Sequence, residues 1–224
     1  MDFNVEVTQK GTVLYDWVRA NIDKIYSETY GFTTITQLHE FVFLESGGAF
    51  VGAVGLSRFE EKSLTDYSLS NHLEIFLTAE KNDANIKEYL LTCSDYIEYG
   101  GAGVLKEYRE QCIPILFRET AKRGLLLGAS RGIGVFNILI CRLFRRMGIE
   151  MTYLGDASID SHEVRNFCLT KFLWSVHDMN LLHDNYFKKL SPKVMTINLH
   201  QGICAIDRYL DDQVNINEES RCIS

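Results

Sequence analysis

The sequence predicts a single α/β or α+β domain. Three observations carry that expectation. Segments with helical apolar spacing alternate with short runs rich in β-branched and aromatic residues. The 224 residues suit one ordinary domain with a modest extension, and neither an internal repeat nor a low-complexity linker divides them. We expect a core over residues 1–155, an extension packed on it over 156–210, and a frayed polar tail over 211–224.

From Thr12 to about Thr29, Leu14, Trp17, Val18, Ile22 and Ile25 recur at helical spacing, and Gly31 is placed to end that helix. The runs LHEFVFLE and AFVGAVGLSRF flank Ser46-Gly47-Gly48, which predicts a β-hairpin. FEEKSLTDYSLSNH is polar and reads as a loop, and Leu73 to Cys93 has no clear period. SDYIEYGGAGV predicts a strand running into a glycine-rich turn, followed by a helix up to Arg123 with Pro114 in its first turn or kinking it. Leu125 to Leu127 then reads as a short strand, Gly134 to Met147 as an amphipathic helix and IEMTYLG as a further strand. Beyond Asp156 come a helical stretch from Ser161 to about His177 and SPKVMTINLHQGICAI, read as a closing strand or strand pair.

With 46% hydrophobic and 24% charged residues, the chain can bury a full core. Its net charge of -7 argues against a general nucleic-acid binder, whose affinity rests on neutralising phosphates. The start MDFNVEVTQK lacks the basic and apolar regions of a secretory leader, and no run reaches the roughly 18–20 apolar residues that span a bilayer. Six cysteines stand far apart with no Cys-x-x-Cys pair, so we expect reduced thiols in a cytoplasmic protein. The histidines form no helical pair with a carboxylate, and no metal is expected.

One motif advertises a specific chemistry. LLLGASRGIG, Leu125 to Gly134, resembles the turn with which short-chain dehydrogenases hold a dinucleotide. That family opens with this unit, whereas here only 90 residues follow Gly134, and no tyrosine has the lysine four positions on that its chemistry needs. An NAD(P)-binding oxidoreductase is therefore the alternative, and a glycine-eased turn the simpler account.

NILICRLFRRMGI, Asn137 to Ile149, resembles instead the last core helix of GNAT-superfamily acyltransferases, with Asn137, Phe144, Gly148 and Ile149 at that family's spacing. Phe144 stands where many of those enzymes have a tyrosine that protonates the departing thiolate. FVGAVGLSRF resembles a strand of acyl-homoserine-lactone synthases and puts Arg58 at their arginine; their fourth-strand glutamate falls at Glu98. LEIFL, IEYGGAGVL and YFKKLSPKVMTINL resemble segments of the related thermostable hemolysins. The likeness implies a GNAT-like fold, a mixed twisted sheet flanked by helices on both faces, and transfer of an acyl group from an acyl-CoA or a phosphopantetheine-linked acyl-carrier-protein thioester to the amine of a small, amino-acid-like acceptor. The hemolysin likeness keeps a non-catalytic interaction protein as a further alternative.

The same resemblance assigns roles. Glu98 is the candidate base or else a strand-edge glutamate, and Arg58 the candidate acceptor clamp or an ordinary surface arginine. Glu74, in the apolar setting HLEIFL, needs a partner, for which Arg58 is the candidate. Gly100, Gly101 and Gly103, with Asn137, are the candidate donor-binding residues, although glycines there equally permit a bulge. Arg142, Arg145 and Arg146 share one helix face, either docking an acidic carrier protein or a phosphate, or simply complementing the helix dipole.

Overall fold

The computed structural model describes residues 2–32, 38–58, 95–157 and 175–222, with side chains up to 213. Glu74 and its expected pairing with Arg58 lie outside the described residues, as do residues 59–94 and the stretch 158–174.

Strand β1 (Asn4–Gln9) leads into helix α1 (Val13–Tyr30). Thr12 caps α1 by accepting a hydrogen bond from the Tyr15 amide at 3.1 Å, and Gly31, at φ 82°, closes it with a bond to the Ser27 carbonyl. The hairpin follows as β2 (Glu40–Ser46) and β3 (Ala49–Arg58), turning through Gly47 and Gly48, both at positive φ. Strand β4 (Tyr96–Val104) precedes a 3-10 turn (Lys106–Tyr108) and helix α2 (Arg109–Leu126). Next come β5 (Arg131–Phe136), α3 (Ile138–Arg146) and β6 (Met151–Asp156). Helix α4 (Val176–Leu182) passes through a π-helical turn (His183–Phe187) before β7 (Lys193–Asn198) and α5 (Leu199–Cys222).

Three expectations need correction here. Leu125 and Leu126 are the last turn of α2 rather than a strand, and Gly134 lies inside β5 rather than opening a helix. GASRGIG is thus a helix-to-strand connection, the reverse of the order a dinucleotide fingerprint requires, and the oxidoreductase reading falls with it. Pro114 sits in the second turn of α2, where its missing N–H leaves the Glu110 carbonyl without its helical donor. The chain from Leu199 onward is helical through Cys222, not strand followed by frayed tail.

The strands form one mixed sheet in the order β1-β2-β3-β4-β5-β7-β6. All adjacent pairs are antiparallel except β4 and β5. Residues beyond 156 therefore supply a strand in the interior of the same sheet, between β5 and β6.

Apolar clusters cover both faces. On one, α1 packs Tyr15, Val18 and Ile22 against Phe41, Phe43 and Ala53. On the other, α2, α3 and α5 bring Leu116, Phe117, Phe144 and Leu199 against Ile97, Tyr99 and Phe136. Burial of each such large side chain stabilises by about 1.5–3 kcal/mol, which is why β3 reads as an unbroken apolar run instead of an alternating one. A bidentate ion pair ties α2 to β2: Arg123 Nε and Nη2 donate to the Glu40 carboxylate at 2.6 and 2.7 Å.

Candidate active site: a cleft between parting strands

β4 and β5 pair from Tyr96↔Arg131 to Tyr99↔Gly134, and there the ladder stops. The cause lies on β4's other edge. Against β3 the register runs Gly55↔Gly100 and then Ala53↔Gly103, so β4 carries one extra residue, and Gly101 adopts φ 50°. Such a bulge bends its strand, and β4 leaves β5 at this point. Gly100, Gly101 and Gly103 therefore lie within a strand, a correction to the expected turn after it. Their lack of side chains has local reasons as well: a Cβ on Gly103 would sit 3.0 Å from Ile22 Cδ1.

The parted strands enclose a cleft of about 220 Å³. Backbone of Gly100 to Gly103 forms one wall and Val135, Phe136 and Asn137 the other, with Leu116 and Phe117 of α2 and Ile25 and Tyr26 of α1 at the two sides. Because α1 and α2 cover opposite faces, the cleft passes through the sheet. Beyond Tyr99 and Gly134 no strand pairing joins β4 to β5, so backbone donors and acceptors of both edges face this space. Asn137 lines it while its Oδ1 caps α3, accepting from the Leu139 and Ile140 amides at 3.0 Å. Arg109, in the first turn of α2, also lines it and is steadied by an Nε bond to the Val104 carbonyl at 3.3 Å.

Besides Tyr99 of β4, three tyrosines from distant segments line the cleft: Tyr26 and Tyr30 of α1 and Tyr186 of the π-helical turn. Tyr30 packs against both others with ring centroids 5.5 Å apart. Burial pushes all three phenols above their ordinary range, with the Arg109 charge opposing this at Tyr30. They are protonated at neutral pH and can donate. Phe144, by contrast, is fully buried between Phe117 and Phe136. Sequence reasoning missed these tyrosines and Arg109. Only the four-residue spacing of Tyr26 and Tyr30 was visible, and nothing in it points to Tyr186.

Glu98 lies on β4 between Ser57 and Ile133, 3% exposed, two residues before the bulge. Side chains alternate along a strand. Ile97 and Tyr99 belong to the α2-side cluster, so Glu98 projects to the α1 side. Arg58 pairs with Ile97 and shares its face, at the exposed end of β3. The register therefore separates Arg58 from Glu98, and the expected joint site of these two is corrected on that ground. Arg142, Arg145 and Arg146 line an open groove with Leu139 on the outer side of α3, and Leu139 also lines the cleft. The basic groove thus adjoins the cleft mouth.

No family profile matches the sequence, and no curated protein matches it. Solved structures do resemble it in fold. TofI, solved in a ternary complex with an inhibitor and MTA, superposes with a TM-score of 0.57 at 13% identity, covering 91% of this chain and 96% of that one. BjaI, a CoA-dependent acyl-homoserine lactone synthase solved with SAM and isopentyl-CoA, gives 0.53 at 13% identity over 92% of this chain and 89% of that one. The AHL synthase LasI gives 0.51 at 10% identity over 88% and 90%. The fold is the GNAT-like mixed sheet that the Asn137 to Ile149 run led us to expect.

Proposed function

We propose that this protein transfers an acyl group from a phosphopantetheine thioester to the amine of a small acceptor. The observation that supports it best is the opening of β4 from β5 immediately beyond a buried carboxylate, Glu98. An amide-bearing chain laid between two open ladder edges satisfies them as an added strand would, and pantetheine carries two amides along a flexible arm. Arg109, in the first turn of α2, supplies positive charge for the phosphate at the arm's far end.

In this reading the thioester carbonyl sits by the Gly100 to Gly103 backbone with the acceptor on the α1 face. Glu98 takes the proton from the acceptor's ammonium or from its nitrogen during attack, the C–N bond forms, and the C–S bond breaks as the tetrahedral intermediate collapses. The departing thiolate takes a proton from a cleft tyrosine, since Phe144 has none to give, and the tyrosine regains one as the amide nitrogen sheds its second proton. The arm is common to coenzyme A and carrier-protein donors. The groove of Arg142, Arg145 and Arg146 supports a carrier protein, whose acidic surface it would complement.

Mass spectrometry of metabolites from cells expressing the wild type beside Glu98→Gln tests this. An acylated amine made by the wild type and lost in the variant is expected. The absence of any acylated product in either rejects the activity, and an equal yield in both rejects Glu98 as base. Purified protein given matched acyl-CoA and acyl-carrier-protein thioesters then separates the two donors.

A further inference from the structure

Helix α1, like every helix, ends in backbone carbonyls that have no donor within the helix. One of them, the Tyr30 carbonyl, is met by a side chain 155 positions along the chain: Asn185 Nδ2 donates to it at 2.9 Å. The other end of that amide is held as well. Lys189 Nζ donates to Asn185 Oδ1 at 2.8 Å, which settles which way the amide points. A Cβ added to Gly31 would touch Leu181 Cδ1 at 3.7 Å and Asn185 Nδ2 at 3.9 Å, so the end of α1 rests directly on α4 and the turn after it.

Asn185 belongs to the π-helical turn, in which the Lys188 amide reaches back to the His183 carbonyl. Turns of this kind are rare and occur mostly at functional sites. The next residue, Tyr186, lines the cleft and meets the Tyr30 ring edge-on, with centroids 5.5 Å apart and planes at 87°. Two neighbouring residues of the turn thus grip one residue of α1, Asn185 at its backbone and Tyr186 at its ring. Tyr30 is itself held, against Tyr26 at 5.5 Å and stacked on Phe32 at 5.7 Å. An edge-to-face ring pair tolerates a range of offsets, whereas a hydrogen bond to a carbonyl is directional, so the amide contact fixes the turn more sharply than the rings do.

We infer that Asn185 is a positioning residue: by tying the π-helical turn to the C-terminus of α1, it holds the Tyr186 hydroxyl in the cleft, where that hydroxyl gives its proton to the departing thiolate. This inference rests on the acyl-transfer reading. Asn185 does not line the cleft and acts only through Tyr186.

The test measures thiol release by the purified full chain in single turnovers, with acyl-CoA and acyl-carrier-protein donors and a panel of small amines. Asn185→Ala should slow release by roughly three- to tenfold with acceptor KM held within about twofold, because Tyr26 and Tyr30 stand beside Tyr186 as partial substitutes. Adding Asn185→Ala to Tyr186→Phe should change the rate by less than about twofold further, since both act through one hydroxyl. Asn185→Gln keeps the donor amide and should recover part of the loss. A second readout needs no turnover: in protein labelled with fluorotyrosine, Tyr186→Phe identifies the Tyr186 fluorine resonance, which should shift and broaden in Asn185→Ala. Melting curves identify a variant that fails to fold; Asn185→Ser then replaces the alanine variant. Release at the wild-type rate, slowing that multiplies with that of Tyr186→Phe, or an unmoved Tyr186 resonance overturns this inference alone. If no thioester is consumed with any amine, the acyl-transfer reading fails and takes this one with it.

Discussion

The proposed reaction gives its proton transfer to a carboxylate enclosed between Ser57 and Ile133, one register step from where two strands separate. Replacing Glu98 by Gln should lower kcat by about 100-fold or more while leaving donor affinity within a fewfold, read from single-turnover rates beside thioester binding. Tyr186→Phe should slow thiol release about tenfold with an unchanged acceptor KM, since Tyr30 and Tyr26 stand beside it as partial substitutes. A thiol-release rate equal to the wild type would exclude Tyr186 as the donor. Glu98 and the glycines after it were legible in the sequence because one continuous stretch carries them. Arg58 was misplaced because strand parity becomes meaningful only once the pairing partner is known: one residue earlier it would face Glu98. The cleft tyrosines escaped notice because they converge from segments more than 150 residues apart.

Elements were read well where periodicity and capping agreed. The α1 helix has its Thr12 cap and Gly31 stop, and the β2–β3 hairpin has its glycine turn. They were misread between Leu125 and Phe136, where three consecutive leucines look like a strand and two glycines spoil one. Packing decides there. Gly132 lies under the Tyr99 ring, with only 2.1 Å between a Cβ and Cε2, so β5 accepts a poor strand former to seat that ring. Gly55 is similarly constrained, its Cβ falling 2.0 Å from Leu38 Cδ1 and 2.9 Å from Phe41 Cε1. Gly55→Ala should destabilise by about 1–3 kcal/mol, lowering Tm by roughly 3–10 °C in calorimetry, and an unchanged Tm would show that the α1 face can yield.

Among the described residues, the Glu40–Arg123 pair ties a helix to the sheet across two layers. The two guanidinium bonds hold the Glu40 carboxyl below the usual carboxylate range against the opposing effect of burial. A lowered folded-state value means that its contribution is complete above the unfolded carboxylate's pKa, near 4.3, and is lost as pH falls through the folded value. Glu40→Gln should therefore cost about 1–2 kcal/mol at pH 7, with the gap in Tm between variant and wild type narrowing as pH drops from 6 toward 3. A gap independent of pH would assign the loss to packing. At this scale the fold class was legible, but the place of the last strand was not, because composition says nothing of where a strand inserts. β7 fills the position between β5 and β6, which makes a truncation after Leu190 far more damaging than one after Gln213. The first should aggregate, and the second should stay folded, losing only the helical signal of residues 214–222. On the ribosome the consequence is one of timing. Until Asn198 has emerged, the nascent chain carries two open strand edges facing each other across an empty lane, a template for any passing strand. The sheet can therefore close only after β7 has been made.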